Sequence, residues 1–347
     1  MFRTCLTCAL ATAACQKVLS VESLLDFERH GHTVTRGLIS PEDRSTRGDL
    51  TSERDFQSQV PVLQRYVREK ESAAAAHSAF IMSAQGMAGM EPPFLQTFNP
   101  HRHSPVAWQW TLALLSAACA LLGTERLRLY QTSLFWKRRG HDATAWHQDL
   151  MTAPIATNDF ITAWVPLHRV GPTGGDGRPT MDKCYQGPGR RHAKTQAGSI
   201  EESPLVFQSC THKDLAAKVH CGAMVRGSTL EDEMGIDPLS CPGPEDFGEH
   251  HEGDVTWHHG WVQHGAPALT KGVSRMAFTA SYFADGALVM APAETEDAPS
   301  FTSWLRDLRP GDQAEHPELP LLAPAGGLVF GLGKRHGKLS AVDWMSL

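Results

Sequence analysis

The sequence has no excess of basic residues, no internal repeat and no heptad pattern. Its 32 Lys and Arg residues are outnumbered by 38 Asp and Glu, giving a formal net charge of -6 at pH 7. A general nucleic-acid-binding protein is expected to present a basic surface, so the charge balance argues against that class. With 347 residues, 41% of them hydrophobic, the chain can bury a substantial core. We expect one elaborated domain over residues 21–347.

The chain also lacks an uninterrupted hydrophobic run of membrane-spanning length. Its longest apolar stretch, residues 106–123, approaches that length but contains Gln109, Thr111 and Ser116. We therefore expect a helix packed on a soluble core and no stable membrane insertion, with a peripheral membrane anchor as the alternative. Residues 1–20 fit an uncleaved leader or a short targeting segment. The sequence does not decide whether the protein is located in the cytoplasm or in an organelle.

A repeated zinc-ligand pattern is missing as well. Cys5 and Cys8 are spaced as Cys-x-x-Cys, but without a second pair they are a weak zinc signal. A second candidate metal group consists of Cys210, His212, His220 and Cys221. A loop with incidental thiols is the favoured interpretation of that group, because no close pair of ligands frames it. The eight cysteines do not settle the compartment.

The sequence does contain a metal-binding pattern, at Trp146-His147-Gln148-Asp149. A histidine and a carboxylate two residues apart face the same side of an extended strand and can share one metal ion. The third ligand must come from a distant part of the chain. His264 is preferred because Arg275 follows after an interval that allows a turn and a return strand into one cavity. The competing candidates are His258 and His259.

The residues around this pattern decide how it is interpreted, because an isolated His-x-Asp is more often a hydrogen-bonded surface pair. Alternating hydrophobicity predicts strands at 127–137 and 274–283, and a buried strand at 160–167. Another strand is predicted to begin at Gly253-Asp254-Val255. Two histidines and one carboxylate form the facial triad of non-heme Fe(II) oxygenases, which leaves positions open for a co-substrate and O₂.

The order of these segments resembles the phytanoyl-CoA dioxygenase family of Fe(II)- and 2-oxoglutarate-dependent oxygenases, over roughly residues 24–290. The family's order is followed by the Trp-His-Gln-Asp segment, Ala163-Trp164-Val165-Pro166-Leu167, Gly253-Asp254-Val255, and His264-Gly265 before Arg275. The resemblance implies a mainly β fold with flanking helices, a double-stranded β-helix of the jelly-roll, cupin-like type.

The resemblance also implies the roles of the site residues. It implies an iron site formed by His147, Asp149 and His264. Arg275 would pair with the far carboxylate of 2-oxoglutarate, and Trp164 would lie near that co-substrate pocket. Lys137 and Gln131 are weaker candidates for the same pocket. The implied reaction consumes O₂ and hydroxylates a small organic substrate with release of succinate and CO₂, although desaturation and ring closure stay open.

Two segments depart from the family pattern. Cys210-Thr211-His212 stands after the predicted strand 204–209 where the family usually has Gly-Ser-His, and we expect His212 to be structural there. Residues 171–202, dense in Gly, Pro, Arg and Lys, are expected to be an insertion near the barrel mouth. The alternative function is a non-catalytic or isomerase-type jelly-roll metal-binding protein. Arg275 distinguishes the two, since such a protein needs no carboxylate clamp beside its metal.

Overall fold

The computed structural model describes residues 19–39, 54–84, 92–171, 203–213, 245–269, 274–290 and 307–323. The expected leader at 1–20, except its last two residues, and the expected insertion at 171–202, except Gly171, lie outside the described residues. Cys5, Cys8, His220 and Cys221 also lie outside them.

Four helices are found in the described part of the chain. They are Val21–His30 (α1), Arg54–Glu69 (α2), Glu71–Ala84 (α3) and Pro105–Leu122 (α4). Two of them, α1 and α4, begin after Ser20 and Ser104, whose hydroxyls accept a hydrogen bond from the backbone N–H three residues later. Both end at a glycine with positive φ, Gly31 at 83° and Gly123 at 65°.

The strands follow the order that the sequence predicts. In chain order they are His32–Thr35 (β1), Leu95–Phe98 (β2), Leu127–Arg138 (β3), Thr144–His147 (β4), Ile155–Ala156 (β5), Phe160–Pro166 (β6), Val206–Gln208 (β7), Val255–His259 (β8), Gln263–Ala266 (β9), Ser274–Ala284 (β10), Leu288–Val289 (β11) and Leu321–Leu322 (β12).

These strands form antiparallel sheets of seven, three and two strands. The large sheet has the order β1-β8-β6-β10-β3-β12, with β2 also paired to β3. The smaller sheet has the order β4-β9-β7, and β5 pairs with β11. Because β10 lies between β6 and β3, it connects the two halves of the large sheet.

One face of the large sheet is apolar and packs against the helices. In β6, Ile161 and Val165 belong to the main core, whereas Thr162 and Trp164 point to the other face. In β10 the same alternation buries Met276, Phe278, Ala280 and Tyr282 in that core. Trp110 of α4 meets Phe278 edge to face, with ring centroids 5.7 Å apart. The strand period of two therefore explains why the helices lie on one side only.

The other face of the large sheet is polar and is covered by the smaller sheet. His258 of β8 lies beside Phe207 of β7, with ring centroids 5.6 Å apart. Lys137 of β3 reaches Thr144 of β4, where its Nζ lies 3.4 Å from Oγ1. The two sheets thus enclose a polar interior between them. This arrangement confirms the predicted fold class, a mainly β jelly roll with flanking helices.

The turn after β7 forms despite its unusual sequence. Cys210 has φ of 69°, in the left-handed region that favours glycine. Thr211 stabilises the turn, because its hydroxyl donates to the Gln208 carbonyl and accepts from the Gln263 N–H, both at 2.8 Å. His212 Nε2 lies 3.2 Å from the Glu28 carbonyl oxygen, a contact that fits the expected structural role.

The apolar stretch 106–123 forms α4. This helix meets the length and composition of a membrane span, with 44% of its 18-residue window buried inside the fold. Leu114 and Ala118 are completely buried, and Leu115 is 3% exposed. This burial supports the expectation of a core helix.

Candidate metal centre

Three side chains converge between the two sheets. His147, at the end of β4, lies opposite His264 of β9 in the antiparallel register. The backbones approach closely here, since a Cβ at Gly265 would lie only 2.9 Å from the Thr144 carbonyl oxygen. One ligand atom from each of His147, Asp149 and His264 can be chosen so that all lie within 4.8 Å of one another. The structure therefore brings the sequence-predicted triad together.

Asp149 reaches this position differently from the sequence expectation. The pattern predicts that His147 and Asp149 share one strand, but β4 ends at His147 and Asp149 begins a short 3₁₀ turn ending at Met151. The intervening Gln148 is extended, with φ of -124° and ψ of 131°. One extended residue returns the next side chain to the same side, so the predicted proximity survives although the predicted strand does not.

Both histidines turn Nε2 towards the centre. Nδ1 of His147 lies 2.8 Å from the Ala145 carbonyl oxygen, and Nδ1 of His264 lies 3.1 Å from that of Val262. Each Nδ1 therefore carries the proton, and each Nε2 keeps a free lone pair. These Nε2 atoms lie 3.7 Å and 3.6 Å from Asp149 Oδ1. Backbone carbonyls thus select the tautomer that a metal ion requires.

The second oxygen of Asp149 is bound by the large sheet. Thr162 Oγ1 donates to Oδ2 at 2.7 Å, and His258 Nε2 lies 3.1 Å from the same oxygen. The Thr162 hydroxyl also lies 2.9 Å from Ser281 Oγ. The carboxylate therefore directs one oxygen towards the two triad histidines and the other towards the large sheet.

The electrostatics of the centre favour an ionised Asp149 and a neutral His264. Burial alone would raise the pKa of Asp149, but His264, His258 and His147 around it hold that pKa far below the usual range. Burial lowers the pKa of His264 well below 6.5, and His147 and His258 lower it further, against the opposing effect of Asp149. A carboxylate with neutral imidazoles is the protonation state that binds a metal.

His258 and His259, the two alternatives to His264 as third ligand, face opposite sides of β8. His258 faces the centre, but it contacts the carboxylate oxygen that the triad histidines do not face. His259 turns to the opposite side of β8, where its ring lies 6.2 Å from that of Phe27 and its Nδ1 accepts the Trp261 N–H at 3.1 Å. The preference for His264 over His259 therefore agrees with the geometry.

Two buried cations, Lys137 and Arg275, lie directly opposite each other on β3 and β10. They are 0% and 3% exposed. Lys137 Nζ donates to the Pro267 carbonyl at 2.7 Å and lies 3.3 Å from Ser203 Oγ. Arg275 Nη1 donates to the Ser203 carbonyl at 2.6 Å, while its buried Nε has no hydrogen-bond partner among the described residues.

This cation pair lies close to the triad. Lys137 contacts Thr144, which pairs with Ala266 across the smaller sheet. Ala266 is two residues from His264 on β9, a separation of about 7 Å along an extended strand. Lys137 and Arg275 therefore lie in the same polar interior as the candidate triad.

No salt bridge joins Lys137 or Arg275 to a carboxylate within the described part of the chain, and Asp142 acts on Lys137 only from a greater distance. Burial lowers the pKa of Arg275 to about 10, so the guanidinium stays charged at neutral pH. Burial and the neighbouring Arg275 lower the pKa of Lys137 well below 10.5, although Asp142 opposes this. Buried cations without an anion are unfavourable, so the pair is suited to an anionic ligand.

Trp164 and Gln131 line the same interior face. The guanidinium carbon of Arg275 lies 5.4 Å from the Trp164 ring centroid. Trp164 is two residues from Thr162 on the same face of β6, and so lies between the triad and Arg275. Gln131 is opposite Ser281, the residue that contacts Thr162. Trp164 is thus next to the cation pair, whereas Gln131 lies nearer the triad.

Sequence reasoning missed two residues of this site. Thr162 is polar in an otherwise apolar predicted strand, and its spacing of two from Trp164 was the available signal. Ser203, which joins Lys137 to Arg275, stands in no recognisable pattern. The contacts of Ser203 depend on the tertiary packing of segments that are distant in the chain, so local sequence does not predict them.

Comparison with known proteins finds similar structures. No protein-family model matches the chain, and no curated protein matches it. The non-heme alpha-ketoglutarate-dependent carbocyclase SnoK from nogalamycin biosynthesis superposes with a TM-score of 0.55 at 18% identity, over 88% of this chain and 98% of SnoK. The epimerase SnoN from the same biosynthesis gives 0.54 at 16% identity, over 89% and 98%. This chain has their fold.

A third solved structure agrees with these two. EctD from S. alaskensis, crystallised with 2-oxoglutarate and 5-hydroxyectoine, gives a TM-score of 0.51 at 16% identity, over 85% of this chain and 86% of EctD. The resemblance to 2-oxoglutarate-dependent enzymes is therefore confirmed at the level of the fold. Membership of the phytanoyl-CoA dioxygenase family itself is not confirmed, since no family model matches.

Proposed function

We propose that this chain is a non-heme Fe(II)- and 2-oxoglutarate-dependent dioxygenase that acts on a small organic substrate. The observation that carries the proposal is a two-histidine, one-carboxylate cluster beside a buried arginine, Arg275, whose Nε–H has no hydrogen-bond partner among the described residues. A protein that only binds a metal has no use for that arginine. The fold shared with SnoK, SnoN and EctD supports the same function.

The donor set fits iron. His147, Asp149 and His264 offer two imidazole nitrogens and one carboxylate oxygen, and the backbone contacts at Nδ1 leave Nε2 of each histidine directed at the centre. Three ligands on one side of the ion leave positions for 2-oxoglutarate and O₂. Iron bound there supplies the oxidative chemistry that converts 2-oxoglutarate to succinate and CO₂ and oxidises the substrate.

The cation pair fits 2-oxoglutarate. Arg275 presents a planar guanidinium with an unsatisfied Nε–H, which is suited to a bidentate bond with the far carboxylate. Lys137 lies directly opposite Arg275, and an anion bound between them would favour its protonated form, while Trp164 closes one side of this pocket. Because the pocket is buried, a carboxylate bound there is weakly screened by water.

Hydroxylation is the outcome that we propose first. Asp149 keeps the carboxylate that related halogenases replace with a small residue, and the substrate class stays within small molecules. The neighbours SnoK and SnoN are a carbocyclase and an epimerase, so ring closure and inversion belong in the same product screen. We also propose that neither nucleic acid nor membrane insertion is part of this function, as the net charge of -6 and the burial of α4 favour.

A thermal-shift experiment with Mn(II) and 2-oxoglutarate tests the function. Binding to the folded state alone stabilises a protein, by about 2.7 kcal/mol when the ligand is at a hundred times its Kd. We expect Mn(II) to raise Tm and 2-oxoglutarate to raise it further. His264→Ala should lose both increments, and Arg275→Ala only the second.

The matched control is His259→Gln, on the same strand as His258 but on its outer face, which should keep both increments. A metal-dependent increase in Tm with no further increase from 2-oxoglutarate would favour the non-catalytic metal-binding alternative.

A further inference from the structure

We infer that His258 and Thr162 are positioning residues that hold Asp149 so that only its Oδ1 faces the metal. This role rests on the metal site proposed above. It goes beyond that site because neither residue belongs to the triad or to the 2-oxoglutarate pocket.

The two residues approach Asp149 as a pair. Thr162 and His258 lie directly opposite each other on β6 and β8, so their side chains leave the sheet at the same point. Both bind Oδ2, at 2.7 Å from Thr162 Oγ1 and 3.1 Å from His258 Nε2. Oδ1 is left at 3.6 Å and 3.7 Å from Nε2 of His264 and His147. Rotation of the carboxylate would break both contacts to the sheet.

His258 is itself held firmly. Its side chain is 2% exposed, and its ring lies 4.2 Å from that of His264 and 5.6 Å from that of Phe207. Because Nε2 binds the carboxylate, it carries the hydrogen, and the buried Nδ1 has no partner among the described residues. An aromatic hydrocarbon ring would fill this space without leaving a buried nitrogen unsatisfied, which is unfavourable. The contact with Asp149 is what the histidine adds.

His258 does not join the triad as a fourth ligand in this geometry. The cluster whose ligand atoms lie within 4.8 Å of one another contains His147, Asp149 and His264 within the described residues, without His258. Its Nε2 is directed at the carboxylate. A carboxylate that offered both oxygens would occupy one more position around the ion, and that position is needed for a co-substrate or O₂. His258 and Thr162 prevent this.

Co(II) bound to the full-length protein tests the role without any turnover. The intensity of its visible d–d absorption falls as the coordination number rises, and competition with a chelator gives its affinity. In His258→Phe and in Thr162→Val we expect affinity to fall by about 10–100-fold, the usual effect of removing a partner of a metal ligand. The absorption should also weaken, as Asp149 becomes bidentate. His258→Gln, which keeps a donor, should restore the spectrum.

The matched control is His259→Gln, which should behave as wild type in both measurements. Wild-type affinity and an unchanged spectrum in folded His258→Phe or Thr162→Val would overturn the positioning role. A spectrum in His258→Phe that indicates a lost nitrogen, with no rescue by His258→Gln, would overturn it in favour of a fourth ligand. If wild type itself binds no Co(II), the metal site fails, and the positioning role fails with it.

Discussion

At the residue scale, the protonated nitrogen of each histidine decides what that residue can do. His147 and His264 each give Nδ1–H to the backbone carbonyl two residues earlier, so Nε2 is free for a metal. His258 uses Nε2 to bind Asp149, so the nitrogen nearest the centre is already engaged. The same side chain therefore serves as ligand or as support according to its hydrogen bonds.

A different histidine, His101, makes stability depend on pH. It is 8% exposed with Nδ1 2.7 Å from Thr132 Oγ1, and burial, with the charges of Arg102 and His103, lowers its pKa from 6.5 to about 3. Between those values the unfolded chain binds a proton that the folded chain does not. Neutral, buried His101 therefore makes its full contribution to the free energy of unfolding above pH 6.5. That contribution decreases as the pH falls towards 3, by up to about 1.4 kcal/mol per pH unit.

Urea denaturation at a series of pH values measures this effect. We expect His101→Gln to have a shallower loss of unfolding free energy on acidification than wild type. Parallel slopes for His101→Gln and wild type would show that His101 does not carry the pH dependence assigned to it.

Among single residues, those with a local pattern were predictable and those defined by register were not. His147, Asp149 and Arg275 stand in segments whose order resembles a known family. His258 and His259 are adjacent, and only the pairing of β8 with β1 and β6 decides which one faces the interior. A slip of one residue would exchange them, and nothing in the local sequence fixes that register.

At the element scale, the long strands were predicted well and the short ones poorly. The strands predicted at 127–137, 160–167 and 274–283 are found at Leu127–Arg138, Phe160–Pro166 and Ser274–Ala284. Hydrophobic alternation sets no bounds for β4, which the structure has at Thr144–His147. A strand of four residues has too few alternating positions to be recognised, and pairing with β9 defines it instead.

Helix α4 provides a test at the same scale. Leu114 is completely buried in the main core, so Leu114→Ala should lower the unfolding free energy by about 2–5 kcal/mol in detergent-free buffer. Urea denaturation measures the loss, and the partly buried Leu112→Ala should lose less. If α4 were a membrane anchor, Leu114→Ala would instead weaken binding to liposomes and leave the urea midpoint unchanged.

At the scale of the whole molecule, closure of the two sheets creates the site. The contact between His147 and His264 joins strands far apart in the chain, and Asp149 is held between the smaller sheet and the large one. Periodicity predicts strands but not which distant strands meet, so the closed fold could be expected only from the family resemblance. The same closure buries Lys137 and Arg275 together, which the sequence pattern alone does not indicate.

Anaerobic titration of the purified protein with Fe(II) and 2-oxoglutarate tests the central claim most directly. Chelation of iron by 2-oxoglutarate gives a visible metal-to-ligand charge-transfer band. We expect this band in wild type, none in His264→Ala, and in Arg275→Ala a band that needs much more 2-oxoglutarate. No band in iron-loaded wild-type protein would contradict a 2-oxoglutarate-dependent oxygenase and leave a metal-binding jelly roll as the better account.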